Sequence, residues 1–190
     1  FGSFNNLAKV TLEVVKVWAE ILRKIPDSKL LIKSGNSNGI PKRYVDLFKE
    51  QGITSNRLKL YSFIPDMDLH LALYNKIDIG LDPFPFNGAT TTCEALWMGV
   101  PIITLEGKRH AGRVGASILT SIGLNNFIAK NKKEYIDLAV ELAEDGHYLK
   151  SLRSQLRQRM VTSSLCNNKL FASKFEKVLQ DIWIKYLDSY

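Results

Sequence analysis

The stretch Ile77-Asp78-Ile79-Gly80-Leu81-Asp82-Pro83-Phe84-Pro85-Phe86-Asn87-Gly88-Ala89-Thr90-Thr91-Thr92-Cys93-Glu94-Ala95-Leu96-Trp97-Met98-Gly99-Val100-Pro101-Ile102-Ile103-Thr104 decides the fold. It opens on a short apolar run at 77–81 and crosses a Pro-rich loop at 82–88. It then continues as a helix over 90–98 and ends on a second apolar run at 101–104. Two short buried strands joined by a helix form a βαβ unit, which requires a parallel sheet covered on both faces.

The same alternation extends outward. Towards the N-terminus, Val14, Val17, Trp18, Ile21, Leu22 and Ile25 recur at helical spacing over 11–25, with Thr11 placed as N-cap. A strand at 30–33, a Gly- and Asn-rich loop at 35–39, a helix at 41–51 closed by Gly52, a strand at 58–61 and a short helix at 67–75 follow. Towards the C-terminus the spacing predicts helices over 113–121, 132–144, 147–160 and 168–187. The expected fold is α/β, a Rossmann-like parallel sheet with helices on both faces and right-handed crossovers.

Composition sets the class. The 190 residues are 45% apolar and 24% charged, with a mean hydropathy of −0.09. Such a composition excludes disorder, collagen-like repeats and a disulfide-stapled miniprotein. No apolar run approaches the roughly 20 residues that span a bilayer. Cys93 and Cys166 are isolated, which argues against a zinc site and for a reducing, cytoplasmic compartment. The chain begins Phe1-Gly2-Ser3-Phe4, with no Met and no signal-peptide pattern, so a piece of a longer protein is expected.

The net charge of +7 invites a polyanion, but its distribution does not support one. Residues 1–146 hold 18 Lys and Arg against 16 Asp and Glu; residues 147–190 hold 8 against 3. The excess lies on the last helices, spaced among apolar residues, so a solvated face is expected rather than a nucleic-acid or membrane surface.

In open parallel sheets ligands bind beyond the carboxyl ends of the strands, which directs attention to the loops 4–10, 34–40, 62–70, 82–92 and 104–113. Thr90, Thr91 and Thr92 follow the Asn87-Gly88-Ala89 turn at a helix start. Free N–H groups and about half a positive charge at such a start hold anions, although one Thr could equally serve as a plain N-cap. Glu94, one turn further in, suits ribose hydroxyls or the helix dipole. Lys9 can reach a phosphate as a point charge or lie on the surface. Asn6 can bond a phosphate or close the turn, and His70 can meet a nucleobase or be structural. His110 and Arg113 can approach the donor sugar or phosphates, or simply start a helix. Asp66 and Asp68 fall at a helix start, where acids are common, and no metal site is expected. No Walker motif, GxGxxG or Ser-His-Asp order is present.

Four segments together resemble the protein O-GlcNAc transferase family, in its bacterial and SPINDLY-like branch. They are Phe4-Asn5-Asn6-Leu7-Ala8-Lys9, the run His70 to Asp82, the run Asn87 to Pro101, and Arg113-Val114-Gly115-Ala116-Ser117. The resemblance implies the C-terminal, donor-binding lobe of a GT-B glycosyltransferase, inverting and metal-independent, with no cofactor beyond a nucleotide sugar, UDP-GlcNAc, whose GlcNAc goes to Ser or Thr of an acceptor protein. It implies that Lys9 is catalytic, stabilising the departing UDP, and that Asn6, Thr90, Thr91 and Thr92 bind the diphosphate. Glu94, His70 and Ile64 would serve the ribose and base. Ala89 stands where the animal enzyme has a His, Leu73 where it has an Arg, Asn6 where it has a Gln, and Glu94 where it has an Asp. The same branch includes a protein O-fucosyltransferase using GDP-fucose, which is the alternative, with a non-catalytic nucleotide-binding module as the other. The expected organisation is a nucleotide-sugar-binding lobe over 1–165 and, over 166–190, an amphipathic helix crossing back to an N-terminal lobe that carries TPR repeats. The apolar stripe Phe171, Phe175, Val178, Ile182 and Tyr186 should therefore be exposed, or serve as a crystal or dimer contact.

Overall fold

The computed structural model describes residues 1–34 and 41–189, so the loop expected at 35–39 lies outside the described residues. Six strands form one parallel sheet: β1 Gly2–Ser3, β2 Leu30–Lys33, β3 Leu58–Tyr61, β4 Gly80–Leu81, β5 Ile102–Leu105 and β6 Ile128–Ala129. Their order is β3-β2-β1-β4-β5-β6. Gly2 is in register with Leu31 on one side and with Gly80 on the other. From β1 the chain winds outward to β3, returns across the sheet to β4, and winds outward again. The point of reversal lies between β1 and β4, where the two following loops diverge and leave a crevice.

The helices are α1 Leu12–Lys24, α2 Lys42–Glu50, α3 Met67–Ala72, α4 Thr90–Trp97, α5 Val114–Ser121, α6 Lys132–Glu144, α7 Gly146–Thr162 and α8 Asn168–Leu187. Thr11 caps α1 as expected, its hydroxyl accepting from the Val14 N–H at 3.3 Å. One face of α1 buries Val14, Val17, Trp18, Ile21 and Leu22 against the sheet. Each such side chain contributes about 1.5–3 kcal/mol on removal from water. Trp18 Nε1 donates to the Tyr135 hydroxyl of α6 at 3.3 Å, and that hydroxyl donates to the Asp82 carbonyl at 2.9 Å. A buried chain of hydrogen bonds thus ties α1 and α6 to the loop after β4.

The elements depart from the sequence reading in three places. The strand expected at 77–81 pairs only at Gly80–Leu81, although Ile77 and Ile79 are buried below it. The helix expected at 67–75 ends at Ala72 and tightens into a 3₁₀ turn over Leu73–Lys76. The edge strand β6 escaped notice because two residues carry no periodicity, and only pairing with β5 defines them.

Two of the basic residues on the C-terminal helices hold α7 in place. Arg153 of α7 donates to the carbonyls of Ile77 and Asp78 at 2.7 and 2.8 Å. Arg157 donates to the Trp97 carbonyl at 2.9 Å and stacks on the Trp97 ring. These guanidiniums clamp α7 to the sheet and to the end of α4. By contrast, α8 buries no residue, and its apolar stripe from Phe171 (67% exposed) to Tyr186 is open, as expected. No helix among the described residues is long and apolar enough to cross a membrane.

This contrast predicts that Leu156→Ala, in the buried face of α7, lowers unfolding free energy by about 2–5 kcal/mol. Ile182→Ala on α8 should change it by less than about 0.5 kcal/mol. Urea unfolding of the two variants against wild type is the check.

Candidate functional site

The crevice between β1 and β4 is built around one buried carboxylate. Asp82, 1% exposed, follows β4 directly. One oxygen accepts from the Gly88 N–H at 2.6 Å, and the other accepts from the Thr104 hydroxyl at 2.7 Å. Six residues of loop are thereby folded back onto the strand that begins them. Burial pushes the Asp82 carboxyl up to about 7, against these two hydrogen bonds and the nearby Lys9 charge, which pull it down. Space requires glycine at two neighbours. A Cβ on Gly88 would come within 2.7 Å of Thr91 Oγ1, 2.8 Å of Thr92 Oγ1 and 2.9 Å of Asn5 Oδ1. A Cβ on Gly115 would meet Thr104 Oγ1 at 2.3 Å and Asp82 Oδ2 at 2.5 Å.

The folded loop leads straight into α4. Its N-cap is Ala89, with no side chain hydrogen-bonded to the helix start. The reading of one Thr as a plain N-cap does not hold: Ala89 takes the capping position, and a methyl group cannot accept from the first-turn N–H groups. Thr90 is exposed, Thr91 half-buried and Thr92 buried. The Thr91 hydroxyl donates to Asn5 Oδ1 at 3.1 Å, joining the two loops across the crevice.

Lys9 makes the second cross-link. It ends a 3₁₀ turn, Leu7–Lys9, and its Nζ donates to the Asn87 carbonyl at 2.8 Å while lying 4.3 Å from the centroid of the Phe86 ring. Burial lowers its pKa, and Asp82 opposes that shift. The ammonium is thus held by the loop that leads into the uncapped start of α4, whose N–H groups and dipole add positive character there. Asn6 is exposed and spends its side-chain oxygen on the Ala8 N–H at 2.9 Å, which closes the turn that presents Lys9.

Glu94 stands one turn into α4. Its Oε2 lies 3.0 Å from His70 Nε2 and accepts from the Tyr74 hydroxyl at 3.0 Å. His70 sits in the last turn of α3 and is only 8% exposed, packed with Phe4 and Tyr74 at ring distances of 5.8 and 5.7 Å. Its Nδ1 has no hydrogen-bond partner among the described residues. Ile64 is half-buried and packs on the core nearby. Asp66 caps α3, accepting from the Leu69 N–H at 2.8 Å, so its carboxylate is occupied in the helix start. Among the described residues no group of three or more His, Cys, Asp or Glu is placed to hold a metal.

His110 and Arg113 lie apart from this cluster, on the loop after β5. Both are exposed and line a cavity of about 590 Å³ with Glu106 and Ser117. Arg113 pairs with Glu106 at 2.8 Å, and Lys130 hydrogen-bonds the same carboxylate. The Lys130 contact, followed by Arg113, holds Glu106 below the usual carboxylate range. The Asn87 N–H donates to the Ala111 carbonyl at 2.8 Å, so this turn buttresses the loop over 82–88. Sequence reasoning missed Asp82, Asn5, Tyr74 and Lys33 as parts of the crevice. Only Asp82 left a signal: a lone acid directly after an apolar strand, opening a Pro-rich loop.

A structure of an O-GlcNAc transferase mutant from Thermobaculum terrenum superposes with a TM-score of 0.89 at 38% identity, over 96% of this chain and 35% of that one. Fold and crevice together define the Rossmann-like lobe of a GT-B glycosyltransferase. The profile of glycosyl transferase family 41 matches residues 1–175, and the chain belongs to that family. The Arabidopsis thaliana protein named "Probable UDP-N-acetylglucosamine--peptide N-acetylglucosaminyltransferase SPINDLY" is 44% identical over 98% of this chain and 21% of its own length. A Caenorhabditis elegans protein named UDP-N-acetylglucosamine--peptide N-acetylglucosaminyltransferase is 29% identical over 98% of this chain and 16% of its own. The chain thus spans about a fifth of the plant relative it matches.

The buried carboxyl generates a pH prediction. Because its folded pKa is raised from 3.8 to about 7, its contribution to stability is present at low pH and is lost as pH rises through about 7. Asp82→Asn should therefore gain on wild type in urea unfolding between pH 5 and pH 8. Parallel pH profiles for the two proteins would contradict the burial of this group.

Proposed function

We propose that this domain is the donor-binding lobe of an inverting, metal-independent glycosyltransferase that moves N-acetylglucosamine from UDP-N-acetylglucosamine to Ser or Thr hydroxyls of proteins. The observation that carries the reading is the Lys9 ammonium, tied to the Asn87 carbonyl beside the uncapped start of α4. The names of the relatives support the same class of donor and acceptor. Both cysteines are unpaired thiols, which suits a reducing, cytoplasmic compartment.

The diphosphate lies across the α4 start, taking N–H groups and the hydroxyls of Thr90 and Thr91, with Lys9 on the β-phosphate and Asn6 beside it. Glu94 accepts from the ribose hydroxyls, and His70 and Ile64 border the base. The acceptor oxygen attacks the anomeric carbon from the face opposite the diphosphate. The bond from that carbon to the β-phosphate oxygen breaks, and its electron pair leaves with the nucleoside diphosphate. Lys9 and the helix start meet this charge with dipoles already in place, so no reorganisation is needed as it develops. His110 and Arg113 stand towards the sugar side. The group that takes the acceptor proton, and the acceptor surface with its TPR repeats, belong to an N-terminal lobe, against which the α8 stripe rests; a dimer contact is the other use for that stripe.

Two measurements test the reading. Calorimetric titration of the chain should give binding of UDP and UDP-N-acetylglucosamine; a preference for GDP and GDP-fucose would replace the donor assignment by O-fucosyl transfer. In the full-length polypeptide, Lys9→Ala should lower the transfer rate by about 10²–10³. Unchanged turnover would remove Lys9 from the leaving-group role, and no turnover in the wild type would leave only a nucleotide-binding module.

A further inference from the structure

Lys33 is a buried cation that the donor site as described does not use. It is the last residue of β2, at the carboxyl end of the sheet, and only 7% of it is exposed. Its Nζ lies 5.6 Å from the centroid of the Phe63 ring, on the loop after β3. Among the described residues no carboxylate is within ion-pairing distance of it, yet it stands close enough to Glu94 to feel that charge. Burial lowers its pKa and Glu94 raises it, the burial effect being the larger. A mostly buried lysine keeps its charge more readily when an acceptor meets the ammonium.

Position gives the partner's chemistry, on the reading that the crevice binds a nucleoside diphosphate. The phosphates sit at Lys9 and the start of α4, and the ribose at Glu94. Glu94 is bonded to His70 and lies within electrostatic range of Lys33. The base therefore falls among His70, Phe63 and Lys33. An ammonium donates and cannot accept. Uracil and guanine present a carbonyl oxygen at the position where cytosine and adenine present an amino group, itself a donor. We infer that Lys33 is a specificity-determining residue that donates to the exocyclic oxygen of an oxo base and rejects amino bases, by leaving its ammonium unpaired against them.

The test is calorimetric titration with UDP, GDP, CDP and ADP of wild type, Lys33→Met and Lys33→Gln. Wild type should bind UDP or GDP at least about tenfold more tightly than its amino counterpart, CDP or ADP respectively, the ratio expected when a charge-assisted hydrogen bond is made or lost. Lys33→Met should lose that ratio while holding the amino-base nucleotides about as well as before. Lys33→Gln keeps a polar head and can both donate and accept, so it should fold like wild type and narrow the ratio by strengthening CDP or ADP. Equal weakening of all four nucleotides in both variants would mean a structural lysine and overturn the inference. Retention of the ratio in both variants would overturn it too, with the donor-lobe reading intact. Failure of wild type to bind any of the four would overturn the donor-lobe reading and this inference with it.

Discussion

The crevice depends on Asp82. A carboxylate in a nearly water-free position accepts from the Gly88 N–H and the Thr104 hydroxyl, and the course of the loop over 82–88 follows from those two bonds. They fold the Pro-rich loop so that the Asn87 carbonyl turns to Lys9 and α4 begins at Thr90, after Ala89, with no side chain capping its N–H groups. The Asp82 carbonyl also accepts from Tyr135, which links the loop through Trp18 to the α1–α6 core. Burying an acid costs stability. Here that cost secures a rigid frame for residues whose own conformations, in an exposed loop, would otherwise be entropically expensive to hold.

The electrostatics are local rather than global. The net charge of +7 suggests a polyanion, yet Arg153 and Arg157 of α7, which contribute to it, are spent on backbone carbonyls of the segment before β4 and of α4. The positive potential of the crevice comes instead from one lysine and one helix start. The α4 dipole is invisible to any count of charged side chains.

Much of the architecture was legible because periodicity reports burial. The helices at 132–144 and 168–187 and the strands at 30–33 and 58–61 have the bounds the spacing predicts. Short elements were not legible: β6 exists only through its pairing with β5. At the site, Lys9, the Thr cluster, Glu94 and His70 could be named in advance because residue type and loop position restrict their chemistry. Their partners could not. His70 with Glu94 and Thr91 with Asn5 lie 24 and 86 residues apart, and nothing local encodes such contacts.

By itself the sequence determined the parallel α/β class and the approximate places where the longer helices start and stop, because these follow from side-chain pattern over a few turns. Tertiary structure alone decided that Asp82 organises the crevice, that Glu94 meets His70 and Tyr74, and that Lys33 lies mostly buried beside Phe63. Burial and pairing between distant segments set those outcomes, and both arise only when the loops after β1, β2, β3 and β4 meet at the carboxyl end of the same sheet.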